Sequence, residues 1–340
     1  MTQGPFFVVG CARSGTTLLQ VILDGHSRLA VPPESYFIAR FAPGGGFGPT
    51  SGLPLALEQA LRPLTRIRRT PPLAERLELI LASSDFEAWH LDPDLVRQRV
   101  ARDEPRSHAE LIDAIFSAYA SAKGKLRWGD KTPWYVLRIG FLARLFPHAQ
   151  FVHVIRDGRA VASSLAEQPF AVDGDVTAFA FQWRAYVAAG RRAGRRLGPG
   201  RYLEIRLEDL VADPPEVLGR VCAFLGEDYE SGMLDYPARV AAGGAPLEHH
   251  RHLLKPPTVG LRDWRRGLDA SQRRAVESVC APLLRELGYP RAPRSTLGVA
   301  YAWASRLRGA VTRRVRRLGS RSGSANQGRI TVDRDDPELL

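Results

Sequence analysis

Phe6-Phe7-Val8-Val9-Gly10-Cys11-Ala12-Arg13-Ser14-Gly15-Thr16-Thr17-Leu18-Leu19 is the stretch that decides the fold. An apolar run ends at Gly10, a short turn follows, and an apolar-periodic helix starts near Thr16. This reads as a buried strand feeding a loop and then a helix N-terminus, where backbone N–H groups and the helix dipole favour an anion. Gly10 and Gly15 keep the spacing of a Walker A phosphate loop up to one position. Where that motif has lysine this chain has Thr16, and the cation is Arg13, three residues earlier. The pattern implies phosphate binding without the lysine that serves nucleoside triphosphates.

Downstream, residues 33–52 are rich in proline and glycine and read as a loop bordering the site. From Leu55 to Lys123 apolar residues recur at three- and four-residue spacing, as in Leu111-Ile112-x-x-Ile115-Phe116-x-x-Tyr119, which predicts a helical insertion over about 53–125. A strand end at Trp128–Thr132 leads into a predicted helix over Trp134–Phe146. Phe151–Ile155 is a continuous apolar, β-branched run that suits a buried parallel strand. A helix from Arg159, a long one through Phe179–Leu197, a strand at Arg201–Ile205 and a helix over Glu216–Phe224 continue the alternation. Residues 261–291 read as mostly helical, with Gly288 as the stop signal. The predicted class is therefore α/β: a P-loop-like central parallel sheet with helices on both faces, in one domain over 1–291.

The tail over 292–340 differs in kind. Leu297–Leu318 reads as a basic amphipathic helix, and the Ser/Gly/Asn/Gln-rich stretch beyond Gly319 as disordered. Eight arginines and no acidic residue lie between Arg294 and Arg321, so most of the net charge of +12 is there. That concentration argues against a nucleic-acid partner for the domain and makes the tail a candidate for peripheral contact with an anionic membrane. Ahead of the first strand there is no basic-then-apolar segment, and no run approaches the ~20 apolar residues of a membrane span. Three cysteines, Cys11, Cys222 and Cys280, form neither a disulfide framework nor a metal spacing. Glu248-His249-His250-Arg251-His252 matches no helical metal pair and reads as a solvated loop. The expectation is a cytoplasmic, metal-free protein, with the tail a candidate for contact at the membrane periphery.

Arg13-Ser14-Gly15-Thr16-Thr17, continued by Leu23-Asp24-Gly25-His26 and Pro33-Glu34-Ser35, resembles the 5′-phosphosulfate loop of sulfotransferases that use 3′-phosphoadenosine 5′-phosphosulfate (PAPS). The arrangement is most similar to the tyrosylprotein and carbohydrate branches. The resemblance implies a clamp on the donor's 5′ end made by Arg13, Ser14, Gly15, Thr16 and Thr17. It implies Glu34 as general base and Lys131, in Asp130-Lys131-Thr132-Pro133, as a point charge on the transferring group. Arg156-Asp157-Gly158-Arg159, with Ser164 further on, resembles the second family signature. There Arg156 and Ser164 hold the 3′-phosphate, although Gln168 stands where tyrosylprotein relatives carry another arginine. His26 is a rival base, since the cytosolic branch uses histidine. Arg206-Leu207-Glu208-Asp209-Leu210 is similar to the segment near the adenine but lacks its aromatic, and Lys255, Arg262 or Arg265 falls where the family closes over the donor.

Sulfuryl transfer needs a base for the acceptor proton, positive charge on the moving and leaving oxygens, and a donor clamp. The resemblance implies a hydroxyl- or amine-bearing acceptor: sugar, glycolipid, phenol or tyrosine. Two other readings compete: a P-loop phosphotransferase using ATP and magnesium, and a membrane-associated nucleotide-binding protein anchored by the basic tail.

Overall fold

The computed structural model describes residues 4–43, 71–168, 176–242, 253–257 and 263–290. They belong to two compact units, residues 1–155 with 189–259 and residues 156–188 with 260–340. The first unit holds a five-stranded sheet: β1 (Phe6–Gly10), β2 (Leu29–Ala30), β3 (Arg127–Lys131), β4 (Gln150–Ile155) and β5 (Tyr202–Arg206) in the order β2-β3-β1-β4-β5. Every pairing is parallel.

Helices fill the connections. α1 (Thr16–Leu23) follows β1; α2 (Phe37–Arg40), α3 (Leu73–Leu81), α4 (Ser84–Glu87), α5 (Pro93–Asp103) and α6 (His108–Ala122) separate β2 from β3. α7 (Ile139–Leu145) precedes β4, and α8 (Gly158–Ala166) and α9 (Val176–Leu197) lie between β4 and β5. After β5 come α10 (Leu207–Ala212), α11 (Pro214–Leu225), α12 (Tyr236–Ala242), α13 (Trp264–Gly267) and α14 (Ala270–Glu286).

The period-two alternation of β1 sends Phe6 and Val8 to one face and Phe7 to the other. Phe6 and Val8, with Val152, Val154 and Ile205, pack against Leu18, Leu19, Ile22 and Leu23 of α1 and Val217, Leu218 and Val221 of α11. On the opposite face Phe7 stacks on Phe151 with ring centroids 5.3 Å apart and meets Trp128, Tyr135 and Phe146, while Phe116 of α6 stacks on Trp128 at 4.4 Å. Both faces are thus covered, which explains why β1 and β4 read as continuous apolar runs.

Two local expectations are revised. The single helix expected over Trp134–Phe146 is a 3₁₀ turn, Pro133–Arg138, followed by α7; such tight turns are common at helix N-termini. The loop expected over 33–52 contains α2, whose Phe37, Ile38 and Ala39 are buried, so proline and glycine flanks concealed a short apolar turn. Residues 44–70, the Glu248–His252 run, Arg262 and the whole basic tail lie outside the described residues. Among the described residues no helix is long and apolar enough to cross a membrane.

Two histidines of the first unit are buried neutral. Burial, with Arg191 adding to it, pushes His153 down to about 3, and its Nδ1 lies 2.6 Å from the Tyr202 hydroxyl. Burial also pushes His108 down to about 4, although its Nε2 contact with the Ile38 carbonyl opposes this. An unfolded chain protonates both near pH 6.5, so from there down to about pH 4 unfolding takes up protons that the folded state refuses. Stability should fall by about 1.4 kcal/mol per pH unit for each histidine. Denaturant titrations across that window should show this slope, and His153→Gln should roughly halve it, leaving the share of His108.

In the second unit α8 is clasped by α14 and by Trp264. Arg159 is buried and forks onto Asp157, with Nη2 2.6 Å from Oδ2, and reaches Glu277 of α14 at 2.9 Å. Its guanidinium lies 4.4 Å from the centre of the Trp264 ring. Gly158 permits a close approach, because a Cβ there would sit 2.6 Å from the Trp183 indole. α14 opens on a capping box between Asp269 and Gln272, and Gly288, with φ +72°, follows its end as the sequence predicts.

Candidate active site

The loop after β1 is built by backbone geometry. Arg13 and Gly15 both have positive φ, 67° and 93°, and the Ser14 N–H donates to the Cys11 carbonyl at 3.2 Å. Gly10 must be glycine, since a Cβ would fall 2.6 Å from the Val154 carbonyl oxygen. Gly15 is the N-cap of α1, and no side chain caps that terminus. The Ser14 hydroxyl oxygen is buried without a hydrogen-bond partner. Uncapped helix N–H groups and an orphaned hydroxyl at one loop form a site whose chemistry fits an oxyanion. Cys11 is buried, which pushes its thiol up to about 12 and keeps it protonated.

Above the loop stands the end of β3. Val8 pairs with Lys131, so Lys131 projects to the α1 face of the sheet. Its Nζ lies 2.6 Å from Glu34 Oε1 and 3.3 Å from Thr17 Oγ1. Lys131 is almost fully buried, with 4% of its side chain exposed against 29% for Glu34, so Glu34 is the solvent-facing member of the pair. The other carboxylate oxygen of Glu34, Oε2, accepts from the Tyr36 hydroxyl. The Tyr36 ring stacks on Trp134 at 6.1 Å and 11°. Burial first, then the Glu34 charge, pushes the Tyr36 phenol far above its ordinary value, so it acts as a donor.

Of the residues expected at the site, Thr17, Lys131 and Glu34 are therefore in direct contact, with Ser14, Gly15 and Thr16 in the adjoining loop. Arg156 and Ser164 belong to the second unit. The Arg156 carbonyl accepts the Trp183 indole N–H at 3.0 Å, and Ser164 is buried in α8. Gln168 donates to the Ser164 carbonyl at 3.0 Å, so it caps the end of α8.

His26, the rival base, has both ring nitrogens engaged by backbone groups. It is buried, its Nδ1 accepts the Arg28 N–H at 3.0 Å, and its Nε2 therefore donates to the Asp228 carbonyl at 2.9 Å. No signal in the sequence marks Tyr36 or Asp130 as a site residue, although each lies within two residues of Glu34 or Lys131. Among the described residues no group of three or more His, Cys, Asp or Glu is placed to hold a metal ion.

The profile of the sulfotransferase family matches residues 5–231. The chain belongs to the sulfotransferase family. Nodulation protein NoeE of Sinorhizobium fredii is 29% identical over 83% of this chain and 65% of its own length, so the chain spans a little under two thirds of that relative. Protein-tyrosine sulfotransferase 1 of Danio rerio is 24% identical over 83% of this chain and 71% of its own. Among solved structures, the sulfotransferase domain of the Synechococcus PCC 7002 olefin synthase superposes with a TM-score of 0.58 at 24% identity, covering 85% of this chain and 97% of that domain. The sulfotransferase shares that domain's α/β fold.

Proposed function

We propose that this sulfotransferase moves a sulfuryl group from PAPS to a hydroxyl-bearing acceptor, with Glu34 as general base. The observation that carries the reading is the Glu34–Lys131–Thr17 cluster beside a phosphate loop that lacks the nucleoside-triphosphate lysine. PAPS supplies the sulfuryl group on a phosphosulfate bond, and the orphaned Ser14 hydroxyl, the left-handed Gly15 and the uncapped start of α1 fit its 5′ end. Glu34 takes the acceptor proton on its carboxylate as the acceptor oxygen bonds to sulfur, and the leaving phosphate keeps the electron pair of the broken bond. Lys131 and Arg13 offset the negative charge that builds on the sulfuryl and leaving oxygens, and Thr17 steers the lysine. Arg156 and Ser164 hold the 3′-phosphate. NoeE and the tyrosine sulfotransferases support the class of reaction without fixing the acceptor.

Calorimetric titration with 3′-phosphoadenosine 5′-phosphate (PAP), beside adenosine 5′-phosphate and ATP with magnesium, tests this. PAP should bind at least about tenfold more tightly than the analogue lacking the 3′-phosphate, as a charge-assisted contact implies, and Arg156→Ala should erase the difference. A preference for ATP with magnesium would return the loop to the phosphotransferases.

A further inference from the structure

Ser35 and Asp130 lie beside the proposed catalytic pair, and neither touches it. The Ser35 hydroxyl donates to Asp130 Oδ2, and both side chains are fully buried. All remaining polar groups of Ser35 are also held by β3 and the turn after it. Its N–H donates to Thr132 Oγ1 at 3.1 Å, and its carbonyl accepts the Tyr135 hydroxyl at 2.6 Å. Asp130 and Lys131 are neighbours on β3, where the period of two sends them to opposite faces, and Glu34 and Ser35, neighbours in the segment after β2, meet one each. The two chain segments are therefore stitched twice, Glu34 to Lys131 on the α1 face and Ser35 to Asp130 on the other. We infer that Ser35 and Asp130 are positioning residues, a buried clip that fixes the backbone of Glu34 on β3 and so keeps its carboxylate against the Lys131 ammonium.

The surroundings of Asp130 support a dedicated role. Burial pushes its carboxyl up to about 7, even though the hydrogen bonds from Ser35 and Thr132 and the Lys131 charge all pull the other way. Its Oδ1 has no partner. A buried acid with one unsatisfied oxygen costs stability, and an apolar residue would serve the core better. What the acid provides is the grip on Ser35. Trp89 adds to the hold, because its indole N–H donates to the Pro33 carbonyl at 3.1 Å on the other side of Glu34.

The catalytic meaning of the clip rests on the reading of Glu34 and Lys131 above, but its test needs neither PAPS nor acceptor. The chain has only four lysines, Lys123, Lys125, Lys131 and Lys255. Trace acylation with acetic anhydride followed by mass spectrometry reads Lys131 against the other three. Glu34→Gln should raise Lys131 labelling about tenfold, as expected when a lysine loses a charged partner. Ser35→Ala and Asp130→Ala should each raise it at least about threefold, while thiol labelling of the buried Cys11 and Cys222 stays at the wild-type rate. Asp130→Asn keeps an acceptor for Ser35 and should label like wild type. The inference is overturned if Lys131 in the folded alanine variants labels as in wild type. It is equally overturned if Lys131 opens only together with Cys11 and Cys222, which would make the clip ordinary core. Either result leaves the PAP titration to decide the sulfotransferase reading separately.

Discussion

Glu34→Gln is expected to slow sulfuryl transfer by about 10²–10⁴-fold, the span for removing a positioned general base, while the dissociation constant for PAP stays within about twofold. The amide is the informative replacement. Its carbonyl can still accept from Lys131 or Tyr36, so the buried ammonium is not stranded and the fold is not on trial. Alanine would confuse the two, because leaving Lys131 buried without a counter-charge costs about 3–5 kcal/mol in comparable cases. The measurement is steady-state turnover with the best hydroxyl acceptor from a screened panel, beside a PAP titration of the same preparation. A Glu34→Gln enzyme that turns over at the wild-type rate would remove Glu34 from the chemistry.

The other large effect is expected at Gly15. Its φ of +93° strains any other residue, and an added Cβ would lie 2.5 Å from Leu207 Cδ1 at the start of α10. Gly15→Ala should therefore destabilise the protein by about 1–3 kcal/mol in a denaturant titration. It should also weaken PAP by at least about tenfold, since the loop N–H groups can no longer keep their direction. Gly124 makes the natural comparison. It too has positive φ, 66°, yet nothing lies within 4 Å of its missing Cβ. Gly124→Ala should show a smaller stability loss and no change in PAP affinity. Equal effects at the two glycines would mean that the loop is not a ligand site.

The sequence carries such features unevenly. The phosphate loop is legible because its signal is local: an apolar run, two glycines at fixed spacing and a periodic helix within fourteen residues. β4 and β5 appear within a residue of where the sequence places them. β2, of two residues, is too short to show any period, and α2 hides between prolines and glycines. The resemblance marks Glu34 and Lys131 separately, but their ion pair joins residues 97 apart in the chain. Spacing tells which face of β3 a residue takes, and says nothing of which distant loop arrives there. The Ser35–Asp130 contact was hidden for the same reason, and because an aspartate beside a lysine reads first as surface charge. His26 shows the converse, since a histidine in a suggestive motif spends both ring nitrogens on backbone groups.

The alternation of Asp130 and Lys131 on β3 also restricts how this sulfotransferase-family chain can change over generations. Deleting or inserting one residue upstream in β3 would turn every side chain to the other side of the sheet. The acid would then face the loop after β1 and the ammonium would face the aromatic layer around Phe7, Phe146 and Phe151. Such a slip would invert the sign of charge at the proposed anion site, and no compensating substitution at one position could reverse it. Descendants of this chain can therefore alter β3 only by exchange of one residue for another, never by a change in its length.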